Sequence, residues 1–226
     1  MINLTNIRKI YKGQNIQTEA LKGISFDIKP SEFISIMGRS GCGKTTLLNI
    51  LGCMDEFDAG EYFFNGVNIK ELKSKELSHF RNKKIGFIFQ AFNLINEMTA
   101  LENVEVPLGY AGVSRRQRKE IACGMLKKVG LDDKMQNKPG QLSGGQQQRV
   151  AIARALANSP DIIFADEPTG NLDKNNGIEV MKLLQALNES GTTLVMVTHD
   201  EKVADYAKRK IILDDGIILK DTGVIV

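Results

Sequence analysis

Apolar positions along the chain change period several times, and each change marks an element. Ile2 to Tyr11 alternates loosely and Ala20 to Ile28 more clearly, around Leu21, Ile24, Phe26 and Ile28, so the first thirty residues read as strands ended by Pro30. Phe33 to Met37 is an apolar run, the pattern of a buried strand. Gly60 to Ile69 carries the hairpin pair Asn65-Gly66, and a polar helical stretch follows from about Ser74 to Asn82. Ile85 to Phe89 is another apolar strand, ending at Gln90. From about Ala100 to Leu156 the period is helical, with breaks expected at Pro107, Gly112, Gly130 and Pro139.

Strands and helices then alternate. Asp161 to Ala165 predicts a strand, Asn176 to Ser190 an amphipathic helix, Thr192 to Thr198 a strand, Glu201 to Arg209 a helix, and Ile211 to Leu219 a hairpin turning at Asp215-Gly216. Such alternation predicts an α/β fold with a mostly parallel sheet covered on both faces. The block from 93 to 156 is a candidate helical subdomain within one 226-residue domain, whose core and β part would comprise about 1–92 and 157–226.

Composition narrows the class. Hydrophobic residues make up 42% and charged residues 25%, ordinary globular values. Thirty basic residues against 27 acidic ones give +3, too mild to indicate a nucleic-acid partner or an anionic membrane surface. The basic run Ser114 to Glu120 contains acids and helical spacing, so it reads as a solvated face. No apolar stretch approaches the roughly 18 residues that suggest a spanning helix, and Arg8, Lys9 and Lys12 precede no apolar leader region. The expectation is a chain that does not enter the membrane unaided. Cys42, Cys53 and Cys123 form no C-x-x-C pair and suggest a reducing compartment without disulfides or zinc.

Two strings carry the chemistry. Gly38 to Thr46 (GRSGCGKTT) follows the Phe33–Met37 strand and fits G-x-x-x-x-G-K-[ST] at Gly38, Gly43, Lys44 and Thr45. Gly38, Gly41 and Gly43 permit backbone turns that converge N–H groups on phosphate oxygens at a helix N-terminus. Lys44 would reach the β and γ phosphates, and Thr45 would place a hydroxyl on Mg²⁺. A hundred residues later Leu142 to Arg149 reads LSGGQQQR, where Ser143 is a good N-cap and Gly144 and Gly145 expose amides at the start of a helix from Gln146 to Leu156. Because the first string is already a complete phosphate cradle, the second suggests another contact to nucleotide.

Ile162 to Pro168 (IIFADEP) brings two acids to a strand's carboxyl end, where ligands bind in open parallel sheets. Asp166 would hold Mg²⁺ through water, and Glu167 would polarise a water in line with the γ-phosphate. His199 follows the next apolar strand and would donate to the γ-phosphate. His79, on a polar helix, reads as solvent-exposed.

Gly38 to Thr45, Gln90, Leu142 to Gln146, Ile162 to Glu167 and His199 occur in the order and spacing of ABC transporter ATPase subunits, and the resemblance spans essentially the whole chain. It implies a P-loop NTPase fold with an N-terminal antiparallel β subdomain and an inserted α-helical subdomain. ATP and Mg²⁺ are the implied cofactors, with the loop residues Gly38, Arg39, Ser40, Gly41, Cys42, Gly43, Lys44, Thr45 and Thr46 on nucleotide. The implied assembly is a head-to-tail pair in which Ser143, Gly144, Gly145 and Gln146 of one copy close over ATP held by the other. Tyr11 resembles the aromatic that stacks on adenine. Gln90 looks like the glutamine that touches Mg²⁺ and the attacking water. Asn171, Leu172 and Asp173 resemble the loop linking the two sites.

Cys42 sits at a variable place in the phosphate loop. A thiol beside Lys44 at a helix N-terminus suggests a sensor, but the simpler reading is a small filler whose backbone N–H does the work. By resemblance, Phe92 to Met98 receives a cytoplasmic helix of a membrane permease.

Within the family the chain looks like the branch of lipoprotein-releasing, macrolide- and peptide-exporting and cell-division ATPases, whose permeases carry large extracytoplasmic domains. The expected function is an ATP-hydrolysing subunit at the cytoplasmic face of the membrane, driving a peptide or antibiotic exporter or a resistance pump. The alternative is a nucleotide-gated scaffold with incidental turnover. The short C-terminus at Val226 is expected to leave no room for a regulatory domain.

Overall fold

The computed structural model describes residues 1–13 and 17–223; Val226, to which the expected single domain extends, lies outside them. The first half of the chain runs β1 (Ile2–Lys12), β2 (Gln17–Ile28), β3 (Phe33–Met37), α1 (Lys44–Leu51), β4 (Ala59–Phe64), β5 (Val67–Asn68), α2 (Ser74–Lys84), β6 (Ile85–Ile88) and α3 (Ala100–Tyr110). The second half continues with α4 (Arg115–Lys128), α5 (Gly144–Leu156), β7 (Ile162–Asp166), α6 (Lys174–Glu189), β8 (Thr193–Val197), α7 (Glu201–Ala204), β9 (Arg209–Asp214) and β10 (Ile217–Asp221). These elements fall into two compact units, Met1–Ser78 with Gly191–Val226, and His79–Ser190.

In the first unit, β1, β2, β4 and β5 form an antiparallel sheet in the order β2-β1-β4-β5. Alternation along β1 buries Ile2, Leu4 and Ile7 against Leu21, Ile24, Phe26 and Ile28 of β2. The β4–β5 hairpin turns where expected, with Asn65 and Gly66 both at positive φ, 48° and 80°. The same unit holds β3 between β8 and β9, all three parallel, with β10 antiparallel on β9. Residues 33–36 are buried throughout because both faces of β3 are covered, which is why Phe33, Ile34 and Ile36 do not alternate with exposed polar residues and the one polar member, Ser35, is buried too. Asp215 and Gly216, at φ 41° and 77°, make the β9–β10 turn.

Arg209, 7% exposed, ties this unit together. Its guanidinium donates to both carboxylate oxygens of Asp221 at 2.8 and 2.6 Å, to Glu32 at 3.2 Å and to the Asp27 carbonyl at 2.9 Å. The Arg209 bonds to Asp221, with one from the Gly223 N–H, outweigh burial and hold the Asp221 carboxyl below the usual carboxylate range.

The second unit contains β6 and β7, paired in parallel, and the helices α3 to α6. Gly86 is required in β6: a Cβ there would lie 2.6 Å from the Ala155 carbonyl of α5. Val104, Leu108, Ala122, Leu126, Val150 and Ala151 bury the facing sides of α3, α4 and α5.

The α/β class and its parallel core agree with the sequence, and two expected boundaries do not. Pro107 does not break its helix; it sits inside α3. A capping box at Thr99 and Glu102 starts that helix, and burial of Val104 and Leu108 on either side of the proline outweighs the one lost hydrogen bond. The helix expected over Glu201 to Arg209 stops at Ala204, and Arg209 opens β9, because its ion pairs and its pairing with Ile34 hold it in a strand.

Candidate functional site

The first unit supplies the phosphate loop. β3 ends at Met37 and α1 begins at Lys44, and the intervening residues Arg39, Ser40 and Gly41 are exposed. Two glycines are fixed by close approach as well as by angle. A Cβ on Gly43, at φ 101°, would lie 2.6 Å from the Ala20 carbonyl, and one on Gly38 would lie 2.1 Å from the Leu213 carbonyl. The Gly216 N–H donates to the Cys42 carbonyl at 3.1 Å, so the β9–β10 turn braces the loop from behind.

Lys44 is 8% exposed, and its Nζ donates to the carbonyls of Gly38 at 2.8 Å and Arg39 at 2.7 Å. The Cys42 sulfur lies 3.9 Å from that nitrogen and the residue is 6% exposed, the surroundings of a packed filler. Thr45 is exposed in the first turn of α1. His199 is exposed two residues after β8, and the parallel register Ile36 to Val197 brings it to the same sheet edge as the loop. Tyr11, 44% exposed near the end of β1, donates its hydroxyl to Asp55 at 2.7 Å.

The second unit holds the remaining candidates. Register Ile88 to Ala165 brings Gln90, Asp166 and Glu167 to one end of the β6–β7 pair. Glu167 takes φ 43°, a left-handed conformation uncommon for a non-glycine residue, and its carbonyl accepts from Gly170 N–H at 3.0 Å. Ser143 caps α5 in a capping box with Gln146, donating its N–H to Gln146 Oε1 at 2.9 Å and accepting the Gln146 N–H at 3.3 Å. A Cβ added at Gly144 would meet Leu172 at 3.4 Å and Phe92 at 3.7 Å, so within this unit the helix start adjoins the segments after Gln90 and around Asn171. Asp173 caps α6, accepting from the N–H groups of Asn175 and Asn176. The side chain and N–H of Asn176 hold its carboxyl below the usual carboxylate range.

Several supports were not legible in the motifs. Gln148, fully buried, donates from Nε2 to the Pro168 carbonyl at 2.6 Å and the Phe89 carbonyl at 3.4 Å, linking α5 to the loops that carry Glu167 and Gln90. Arg154 donates to the carbonyls of Phe92, at 2.8 Å, and Asn93, both residues at positive φ. Buried Asn103 accepts from Ile95 N–H at 2.8 Å and donates to the carbonyls of Ile95, Met98 and Thr99. Nothing in QQQR distinguishes Gln148 from its neighbours; only the fold turns it inward.

The oxygen donors fit magnesium by type: the Thr45 hydroxyl, the Asp166 carboxylate and the Gln90 amide are hard ligands. Among the described residues no cluster of three His, Cys, Asp or Glu could hold a metal, and no helix is long and apolar enough to cross a membrane.

The ABC transporter family model matches residues 21–170. The chain is 49% identical over 228 residues to the macrolide export ATP-binding/permease protein MacB of Syntrophobacter fumaroxidans, covering 100% of this chain and 32% of that protein. It therefore spans about a third of the length of that relative. It is 50% identical over 220 residues to the ABC transporter ATP-binding protein MJ1508 of Methanocaldococcus jannaschii, covering 97% of this chain and 98% of that protein. Among solved structures, it is similar to the dimeric ATP-binding cassette MJ0796 in a post-hydrolysis state bound to ADP and Pi. The TM-score is 0.89 at 48% identity, covering 98% of this chain and 97% of that one. On the family match and on the coverage of full-length relatives, the chain belongs to the ABC transporter family.

Proposed function

We propose that this chain binds and hydrolyses ATP as the motor of a membrane exporter, two copies closing head to tail around two nucleotides. The observation that carries this reading is the coexistence of a glycine-constrained phosphate loop at Gly38–Thr46 with a second capped, glycine-opened helix start at Ser143–Gln146. Within one chain the first suffices for phosphate, so the second is read as facing the nucleotide of the partner copy. The dimeric state of the similar cassette supports the same arrangement.

In this reading, N–H groups of the loop and Lys44 hold the β and γ phosphates, and the adenine stacks on Tyr11. Thr45, Asp166 and Gln90 would hold Mg²⁺, which neutralises charge on the phosphates. Glu167 accepts a proton from the attacking water, while His199 orients the γ-phosphate. ATP favours the closed pair, and loss of the γ-phosphate releases it. The domain division follows from the same reading: residues 93–156 form the helical arm, carried by a core and β part of 1–92 and 157–226.

The relatives named for macrolide export join an ATP-binding part to a permease. On that basis the partner is a membrane permease; the resemblance to the exporter branch adds an extracytoplasmic domain on it, its docking at Phe92 to Met98, and a place for the chain at the cytoplasmic face of the membrane. Export of a peptide or antibiotic is the favoured role. Glu167→Gln should retain ATP and accumulate a dimer on gel filtration, with steady-state turnover abolished. A Glu167→Gln protein that stays monomeric in excess ATP overturns the proposal.

A further inference from the structure

Tyr11 is not simply an exposed ring at a strand end. Its hydroxyl donates to Asp55 Oδ2 at 2.7 Å. Asp55 is itself held: Lys9 Nζ donates to its Oδ1 at 2.7 Å, and the Glu56 N–H donates to the same oxygen at 2.8 Å. Lys9 also donates to the Glu56 carbonyl at 2.7 Å, and its ammonium stands 5.0 Å from the centroid of the Tyr11 ring.

The segment around Asp55 is fixed at both ends. The Met54 N–H donates to the Asn49 carbonyl of α1 at 2.8 Å. Asp58 accepts from Ile10 N–H at 2.7 Å and donates its own N–H to the Arg8 carbonyl at 2.9 Å. Burial pushes the Asp55 carboxyl up, but the bonds from Lys9, Tyr11 and Glu56 outweigh it and hold it below the usual carboxylate range. Asp55 is therefore an anion over the whole neutral range.

We infer that Asp55 and Lys9 are positioning residues for the base platform: they hold the Tyr11 ring in one orientation and, through the N–H bonds of Met54 and Asp55 to the Asn49 carbonyl of α1, register it against the phosphate loop before nucleotide arrives. The inference rests on the reading of Tyr11 as the adenine-stacking residue. A ring free to rotate loses orientational freedom when a base stacks on it, and that loss weakens binding; a ring already held avoids it. The cation over one face leaves the other face for the base. The Met54 N–H bond to the Asn49 carbonyl also ties the base platform to the helix that carries Lys44 and Thr45. Base and triphosphate then bind to one pre-set frame.

The test compares a non-hydrolysable ATP analogue with inorganic tripolyphosphate, each with Mg²⁺, on the intact chain by calorimetry. The variants are Tyr11→Phe, Asp55→Ala, the double variant and Tyr11→Ala. Tyr11→Phe removes one atom and keeps the ring, so it should fold as the parent does. Tyr11→Phe and Asp55→Ala should each weaken the ATP analogue by about three- to tenfold, the range of one lost hydrogen bond. Tripolyphosphate affinity should stay within about twofold, and the double variant should be no weaker than the weaker single, because both remove one linkage.

Tyr11→Ala should lose more, since stacking goes as well. Parent-like affinity in Tyr11→Phe and Asp55→Ala alongside a large loss in Tyr11→Ala overturns the tether and leaves the stacking intact. Parent-like affinity in Tyr11→Ala overturns the stacking reading itself. Equal losses for the two ligands, or additive losses in the double variant, also overturn the inference.

Discussion

Gln90 and Asn171 hold each other twice. The Gln90 Nε2 donates to Asn171 Oδ1 at 3.3 Å, and the Asn171 Nδ2 donates to the Gln90 carbonyl at 3.0 Å. The pair locks Gln90, two residues after β6, to the segment after Glu167, and Gly170 lies so close that a Cβ there would meet Gln90 Nε2 at 2.6 Å. Asn171→Ala or Gly170→Ala should release Gln90 without harming the core, because Asn171 and Gly170 are exposed and the displaced atom is the end of a flexible side chain. We expect the midpoint of thermal unfolding within about 3 °C of the parent and a several-fold fall in ATP turnover. Unchanged turnover in both variants would show that this pairing does not serve hydrolysis.

The two left-handed glycines of the phosphate loop should behave differently on substitution. Gly43, at φ 101°, faces the fixed Ala20 carbonyl at 2.6 Å, whereas Gly41, at φ 79°, has nothing within 4 Å of an added Cβ. Gly41→Ala should therefore cost only the backbone term of about 1 kcal/mol, and Gly43→Ala about 3 kcal/mol, with loss of nucleotide binding. Urea denaturation of the two variants checks the order; equal costs contradict it.

Acid should remove the stabilisation from the Arg209–Asp221 pair. The bonds from Arg209 lower the folded pKa of Asp221 below the unfolded value near 3.9, so its contribution is complete above that value and is lost as pH falls through the folded one. Both side chains are 8% exposed, so solvent screening is slight. Asp221→Asn should cost about 3 kcal/mol at pH 7, the range for breaking a buried pair, and the gap to the parent should close below about pH 4. Denaturation curves at pH 7, 5 and 3 measure it; a gap independent of pH refutes the assignment.

Asn103 offers a local readout. Its side chain makes four hydrogen bonds to the backbone of Ile95, Met98 and Thr99 from a fully buried position. Asn103→Leu should cost about 2–4 kcal/mol by leaving those groups without partners. Amide exchange at Ile95 should accelerate more than at residues of β7. Protection at Ile95 that survives the change would locate its support elsewhere.

Sequence alone reached the elements that carry the motifs. Local signals set them: the mostly apolar run at 33–37, the Asn65-Gly66 and Asp215-Gly216 turns, and the Ser143 N-cap each act over a few residues, where composition and dihedral preference suffice. Where local and tertiary terms compete, the pattern misleads. Pro107 is a helix breaker by propensity and stands inside α3 because neighbouring side chains are buried around it. Arg209 looks like the end of a helix and opens a strand because Asp221 and Glu32 hold it there.

What the chain determined by itself is the chemistry of the loops: the glycines, Lys44 and Thr45, the acids at 166 and 167, and the strand ends that deliver them. Only the tertiary structure decided what holds that chemistry in place. Tyr11 meets Asp55 across 44 residues, Gln148 meets Phe89 across 59, and Gln90 meets Asn171 across 81. Side chains so distant in sequence acquire a partner only when the sheet register brings their elements together. Until then Asp55 is one acid among 27 acidic residues, and Gln148 one glutamine of three in a row.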